Sequence, residues 1–393
     1  MTQEPNIFPY IARLLQGAEV VWKPLGEVAE LKRGTTITKK TSNEGIYPVI
    51  SGGQQPAYYI DQFNREGETI TVAGSGAYAG FVMYWNEPIF VGDAFSIKAN
   101  GEQVLPRYIY HFLLSIQEKI HDLKSGGGVP HVYAKDVARF VIPLPPLSVQ
   151  QEIVRILDKF TQLEAELEAE LDCRKRQYEY YRNKLLTFSE IGGGTKVEWK
   201  TLGEVGEVTK LAGFEFTNYV KYNDTGKIIA LRGLNVKGSL DLSDVKYIDE
   251  SDFSKLNRSK LYINDMLFTY VGTVGSVALI PENDKYYLAP NVARIRFLDR
   301  KINPRFMFHY FQSDEFKKKQ INRYLGSSSM KNLTMENIRK FQIPLPPLEE
   351  QQRIATILDK FDTLVNSISE GLPKEIALRR KQYEYYREQL LRF

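Results

Sequence analysis

The stretch Phe140-Val-Ile-Pro-Leu-Pro-Pro-Leu-Ser-Val-Gln-Gln-Glu-Ile-Val-Arg-Ile-Leu-Asp-Lys-Phe160 returns as Phe341-Gln-Ile-Pro-Leu-Pro-Pro-Leu-Glu-Glu-Gln-Gln-Arg-Ile-Ala-Thr-Ile-Leu-Asp-Lys-Phe361, identical at 15 of 21 positions. One module is written twice. The prolines of Pro143–Pro146 and Pro344–Pro347 exclude helix and predict a stiff extended connection into whatever follows. A PxxP ligand for a signalling domain is the other reading of such a run, but two copies at one structural junction favour a strut.

Beyond the prolines, apolar residues fall at Ile153, Ile156, Phe160, Leu163, Leu167 and Leu171, then Tyr178, Tyr181, Leu185 and Phe188. Steps of three and four are coiled-coil spacing. About 41 residues at ~1.5 Å each predict a rod of about 60 Å, longer than the core of a small domain. The second copy offers Ile354, Ile357, Phe361, Leu364, Ile368, Ile376, Tyr383, Tyr386, Leu390 and Phe393, interrupted by Gly371-Leu-Pro373. A break is expected there, with Pro373 at the first position of the next helical segment. The linker Ile191-Gly-Gly-Gly194 reaches at most about 35 Å, so the second half starts near the end of the first rod. The expected architecture is therefore α+β: two mixed α/β heads separated by two long antiparallel coiled-coil helices, with a pseudo-twofold internal repeat.

The repeat extends outside the helices. Val21-Trp22-Lys23-Pro24-Leu25-Gly26-Glu27-Val28 matches Glu198-Trp199-Lys200-Thr201-Leu202-Gly203-Glu204-Val205, and Pro106-Arg107-Tyr108 with His111 matches Pro304-Arg305-Phe306 with His309. Between these anchors the two copies are dissimilar, with β segments expected at 68–73, 81–85, 267–271 and 276–280 and helices at 106–121 and 304–324. The expected division is an N-terminal segment over 1–21, heads over 22–147 and 199–348, spacer helices over 148–188 and 349–393, and a Gly-rich linker over 189–198.

Composition bounds the function classes. Hydrophobic residues make up 43% and charged residues 25%, ordinary for a folded chain, and the net charge of +4 permits an anionic partner without requiring one. Cys173 is the only cysteine, which excludes an intramolecular disulfide and any zinc site built on several cysteines. With no basic leader at Met1 and no apolar run near the ~18 residues of a membrane span, a cytoplasmic location is expected.

Catalytic signatures are missing. Gly74-Ser-Gly-Ala-Tyr-Ala-Gly80 superficially suggests a nucleotide loop, but its last glycine is displaced and Gly272-Thr-Val-Gly275 does not keep the pattern, so a tight β-turn is the reading. No P-loop, HExxH, GxSxG or Asn-Pro-Pro-aromatic motif occurs, and four histidines supply little for catalysis. No catalytic residue and no metal ligand is assigned.

Loops carry a different chemistry. Lys32, Arg33, Lys39, Lys40, Gln54, Tyr78, His131 and Tyr133 in the first half, and Lys210, Phe214, Arg232, Tyr270, Thr273, Ser328, Met330 and Lys331 in the second, place basic, aromatic and small polar groups among glycines. Cations of this kind neutralise phosphates, while Arg, Gln and Ser address base edges; the other reading of each is a solvated loop residue. Arg174 and Arg176, with Arg379 and Lys381, precede a shared Gln-Tyr-Glu-Tyr-Tyr-Arg in which Tyr180 and Tyr385 lie off the apolar seam. Either these form a solvated face or they mark a partner-binding one.

The Ile-Pro-Leu-Pro-Pro-Leu run, the Gln-Gln pair, Ile-Leu-Asp-Lys-Phe and Lys-Arg-Gln-Tyr-Glu-Tyr-Tyr-Arg-Asn-Lys-Leu-Leu together resemble the DNA-specificity subunit of type I restriction-modification systems, over essentially the whole chain. The resemblance implies two target recognition domains, each reading half of a split DNA sequence. It also implies two adenine methyltransferase subunits docked on the helical frame and restriction-translocase subunits able to join. S-adenosylmethionine, ATP and magnesium would belong to those partners, and none to this chain. Within that setting the tandem Leu163-Glu-Ala-Glu-Leu167-Glu-Ala-Glu170 reads as an adjustable spacer as well as a solvated acidic face beside a leucine stripe. Four helical residues add about 6 Å and ~40° beyond a full turn, against ~3.4 Å and ~35° for one DNA base pair. Two rivals stand beside this reading: a coiled-coil adaptor with two protein-binding heads, and a methyltransferase whose motifs go unrecognised.

Overall fold

The computed structural model describes residues 7–101, 103–126, 128–188, 197–325 and 332–393. It divides into two compact units, residues 1–169 with 375–393 and residues 170–374. The expected linker over 189–198 lies mostly outside the described residues.

In the first unit, strands Ala29–Arg33, Ala94–Ala99, Thr69–Ala73 and Val82–Trp85 are neighbours in that order in an antiparallel sheet. A smaller sheet sets Glu44–Ile50 between Tyr59–Ile60 and Phe90–Val91. The second unit repeats the plan: Gly206–Lys210, Val292–Phe297, Met266–Thr269 and Val277–Leu279 form its antiparallel sheet, and Ile229–Leu231 lies between Lys246–Tyr247 and Tyr286–Leu288. Strands Thr69–Ala73 and Met266–Thr269 are buried at every position.

The proline runs are extended, as expected, but they are not free struts. Val141–Leu144 pairs antiparallel with Val21–Pro24, setting Trp22 opposite Pro143, and Gln342–Leu345 pairs with Glu198–Thr201, setting Trp199 opposite Pro344. A two-stranded ribbon has only edges, so a proline facing away from the partner costs no ladder bond. The tryptophan segments and the proline runs, anchors at the two ends of each sequence repeat, are thus one local structure.

Both late helices are interrupted where continuous ones were expected. The first runs over Pro106–Ser115 and then Gln117–Asp122; the second comprises Pro304–Gln312, Asp314–Phe316, a π-turn at Lys317–Ile321 and Asn322–Tyr324. At the second break the Ser313 hydroxyl accepts from the Phe316 amide and caps a new helical turn.

Leu147–Leu186 is one helix of 40 residues, whereas its counterpart divides into Leu348–Asn366 and Leu372–Leu390. Gly371, at φ +90°, makes the break, and Pro373 stands at the second helical position rather than the first. In the first unit the helices run antiparallel: Phe160 stacks on Tyr386, and further along Glu164 and Glu168 both bind Arg380. The first core contains Val72, Phe95, Tyr108, Leu113, Ile153 and Leu157 together with Tyr383 and Leu390. The second contains Phe268, Ile295, Phe306, Phe311, Ile354 and Leu358 together with Tyr178 and Leu186. Each core therefore takes side chains from the helix that follows its own head and from the helix of the other repeat.

Candidate nucleic-acid interface

One buried glutamine seats each head on its helix. The Gln150 side chain accepts from the Leu105 amide at 3.0 Å and donates to the carbonyls of Gln103 and Pro145 at 3.0 and 2.9 Å. Gln351 does the same with the Asn303 amide at 2.9 Å and the carbonyls of Lys301 and Pro346 at 3.0 and 2.8 Å. These are the first residues of the repeated Gln-Gln pairs, so an identity at sequence level is a hydrogen-bond requirement in the fold.

The repeated aspartates carry a second network. His111, fully buried, has Nε2 2.7 Å from Asp158 Oδ1 and Nδ1 3.1 Å from the Tyr383 hydroxyl, while Arg107 Nε donates to Asp158 at 3.1 Å. His309, equally buried, has Nε2 2.7 Å from Asp359 Oδ1 and Nδ1 3.2 Å from the Tyr178 hydroxyl, with Arg305 Nε donating to Asp359 at 2.9 Å. Burial pushes both imidazoles below their ordinary value, against the opposing pull of the aspartates. Burial would raise Asp158 and Asp359, but hydrogen bonds from His and Arg outweigh it and hold both below the usual carboxylate range. Burial also pushes the Tyr178 and Tyr383 hydroxyls up to about 12.

Above this frame the first unit brings four of its candidate loop residues to one region. The Gly76 amide donates to Pro130 at 3.0 Å and the Val132 amide to Gly74 at 3.0 Å, so the Gly74–Gly80 turn and the 130–133 segment share a wall. Tyr78 and Tyr133 are 49% and 47% exposed there, and His131 stacks on Tyr133 with ring centroids 6.1 Å apart. Gly52 backs onto the Ser75 carbonyl, 2.5 Å from where a Cβ would stand, which brings the loop of exposed Gln54 to the same turn. Lys32 and Arg33 belong to strand Ala29–Arg33, and Lys32 lines a separate cleft of about 390 Å³ with Asn64, Arg65 and Lys98. Lys39 and Lys40 are exposed on a turn.

The second unit uses the same positions differently. The Leu333 amide donates to the Tyr270 carbonyl at 2.9 Å, the counterpart of the 130–133 contact, and Lys210 Nζ lies 5.7 Å from the centre of the Tyr270 ring. Arg232 and Thr273 line a cleft of about 590 Å³ with Phe216, Tyr222, Leu234 and Asn291. Arg232 is partly engaged by Asp244 at 2.9 Å, and Phe214 is 65% exposed on helix Gly213–Tyr219. Ser328, Met330 and Lys331 lie outside the described residues.

Sequence reasoning missed a basic cleft of about 520 Å³ where Arg182, Lys237 and Lys317 meet the Gly272–Ser276 turn. The run Lys317-Lys-Lys319 was its visible signal, obscured because the π-turn decides which lysine faces the cleft. At Gly275, φ +96°, a Cβ would stand 2.4 Å from Ile321 Cδ1.

On the helices, Arg174 is held by Glu170 and Gln177, and Arg379 by Glu375 and Gln382. Arg176 pairs with Asp172, and Lys381 is exposed. Tyr180 and Tyr385, 59% and 55% exposed, meet Tyr181 and Tyr386 edge to face at the same 5.3 Å separation. Among the described residues no group of three or more His, Cys, Asp or Glu side chains is placed to hold a metal ion, and no helix is long and apolar enough to cross a membrane.

The family described as type I restriction modification DNA specificity domain matches residues 18–172 and again 195–378. The EcoR124I/EcoR124II specificity subunit of Escherichia coli is 31% identical over 98% of this chain and 97% of its own length. A putative type I restriction enzyme specificity subunit of Haemophilus influenzae is 30% identical over 98% of each. Among solved structures, the type I restriction-modification S subunit from M. genitalium superposes with a TM-score of 0.62 at 16% identity, covering 95% of this chain and 96% of that one. A chain of a type I R-M system gives 0.58 at 18% identity, covering 96% and 98%. The duplicated frame, the two dissimilar heads and these likenesses agree: the chain belongs to the type I restriction-modification DNA-specificity family and is a non-catalytic subunit that confers DNA sequence specificity.

Proposed function

We propose that the head over residues 22–147 reads one half of a bipartite DNA target and the head over 199–348 reads the other, while the spacer helices 148–188 and 349–393 set the gap. The observation that carries this reading is that the same seating, by Gln150 or Gln351 and by the histidine–aspartate network, supports two heads whose exposed loops differ. Base-edge contacts are assigned to the groups around Tyr78, His131 and Tyr133 and around Arg232, Tyr270 and Thr273. Lys32, Arg33, Lys39, Lys40 and Lys210 supply phosphate neutralisation, which predicts binding that weakens steeply with salt.

Two adenine methyltransferase subunits dock on the helices, one at each exposed tyrosine pair, with Arg176 and Lys381 on the same helical segments. Restriction-translocase subunits join that assembly in the cytoplasm, and the partners bring S-adenosylmethionine, ATP and magnesium. Single-molecule sequencing of adenines methylated by the reconstituted complex tests the reading. The expected result is one split motif with a fixed gap; a continuous motif would overturn it. Deleting Leu167–Glu170 is expected to shorten the gap and leave both half-sites unchanged. After that deletion Asp172 takes the helical position of Glu168, so Arg380 keeps two carboxylates to bind.

A further inference from the structure

The two buried networks draw their members from three segments each. In the first unit Arg107 and His111 lie on the head's own helix, Asp158 on the spacer helix that follows that head, and Tyr383 on the helix of the other repeat. The second unit mirrors this with Arg305, His309, Asp359 and Tyr178. An ionised aspartate requires His Nε2 to donate, which leaves Nδ1 as the acceptor for the tyrosine hydroxyl. One tautomer satisfies the whole quartet, and both ring nitrogens are engaged, so no basic nitrogen faces a cleft.

Besides the backbone bonds of Gln150 and Gln351 and, in the second unit, a pair of bonds between Asn183 and Asp314, contacts at these junctions include stacked rings and aliphatic packing, such as Tyr178 on Phe361 at 6.1 Å and Phe160 on Tyr386 at 5.4 Å. Apolar burial is non-directional and tolerates small rotations, whereas a hydrogen-bonded quartet centred on a buried histidine is met in one orientation only. A rotation of a head on its helices carries its reading loops along the DNA. A displacement on the scale of the ~3.4 Å base-pair rise is enough to move a reading loop from one base pair to its neighbour.

We propose that the Arg107–His111–Asp158–Tyr383 and Arg305–His309–Asp359–Tyr178 quartets are positioning residues that fix the angle of each head on its helices, and so determine how strictly the gap between half-sites is measured. This rests on the bipartite reading above. Helix length selects the preferred gap, and the quartets decide how sharply its neighbours are rejected.

The test uses the full complex with methyltransferase subunits and duplexes that hold both half-sites at the preferred gap, or one base pair shorter or longer. Y178F and Y383F remove one hydroxyl each and keep the ring in place. Loss of one buried hydrogen bond predicts that methylation at the altered gaps, relative to the preferred gap, rises about fivefold in either variant. Both half-site sequences stay as they are, and the double variant exceeds either single one. A purely structural role would lower the melting temperature and reduce methylation equally at every gap. A wild-type gap that remains equally strict in both variants and in the double variant overturns the inference alone. A wild-type complex with no gap-dependent target overturns the bipartite reading and this inference with it.

Discussion

The two junctions have the same quartet in different surroundings. In the first unit Arg107 stands over Tyr84 and Tyr110, at 4.3 and 5.0 Å from the ring centres. In the second, Arg305 stands over Phe308 at 4.8 Å and has a second carboxylate, Asp362, at 3.8 Å. The second junction also has a clasp with no counterpart among the described residues of the first: Asn183 donates to the Asp314 carboxylate at 3.0 Å and accepts from the Asp314 amide at 3.0 Å. The corresponding helix position of the other repeat is Glu388. What the repeat preserves is the polar connection, and its aromatic and charged surroundings diverge with the heads they support.

Removing the central acceptor is the strongest way to break the comparison. Asp359→Ala leaves His309 and Arg305 without their shared partner and is expected to destabilise the second unit by about 2 kcal/mol, since the carboxylate is about a third exposed. Asp158→Ala should cost a similar amount in the first unit. Hydrogen exchange resolved along the chain is expected to localise each loss to one unit; equal loss in both would contradict two separately seated heads.

Acidification acts on both junctions alike. Each histidine is held neutral by burial while the unfolded chain takes up its proton from pH ~6.5 downward, so stability is full above that value and falls from pH 7 to pH 5. The aspartates, held below their ordinary value, lose their contribution only further down, below pH ~4. Melting temperatures measured over this range should fall, and the slope between pH 7 and pH 5 should flatten in the His111→Gln, His309→Gln double variant.

The clasp sharpens the comparison from the other side. Asn183→Ala is expected to cost the second unit about 1 kcal/mol, and Glu388→Ala to leave the first unchanged, as read by chemical denaturation. Arg380→Ala should have a smaller effect than Asn183→Ala. Its two glutamate partners lie on an exposed face, where ion pairs contribute less than about 1 kcal/mol, so a larger loss would mean that the acidic tetrads do more than space the helix.

Much of the frame was legible because period and identity both pointed to it. The 40-residue helix follows from its three-and-four spacing, and the Gly371 break from the one interruption of that spacing. The meaning of the identities was less visible. Gln150 and Asp158 stand among apolar residues in a helix pattern, and nothing local tells that their partners lie 45 and 47 positions away at Leu105 and His111. Tyr383 is further still from His111, 272 positions along the chain, yet the matched Arg-His and Gln-Tyr-Glu-Tyr-Tyr copies were both visible. For the heads, sequence located the turns but not their neighbours. The segments that carry Tyr78 and Tyr133 are joined by backbone hydrogen bonds between Gly76 and Pro130 and between Val132 and Gly74, contacts that side-chain chemistry does not announce.

The central claim is that one frame carries two independent readers. Its most direct test is to replace residues 22–147 with the corresponding head of a relative that has a different target, reconstitute the methylating complex, and sequence the methylated adenines. The account predicts that one half-site changes while the other half-site and the gap stay as in the parent. A change in both half-sites, or a target that fails to change at all, would contradict it.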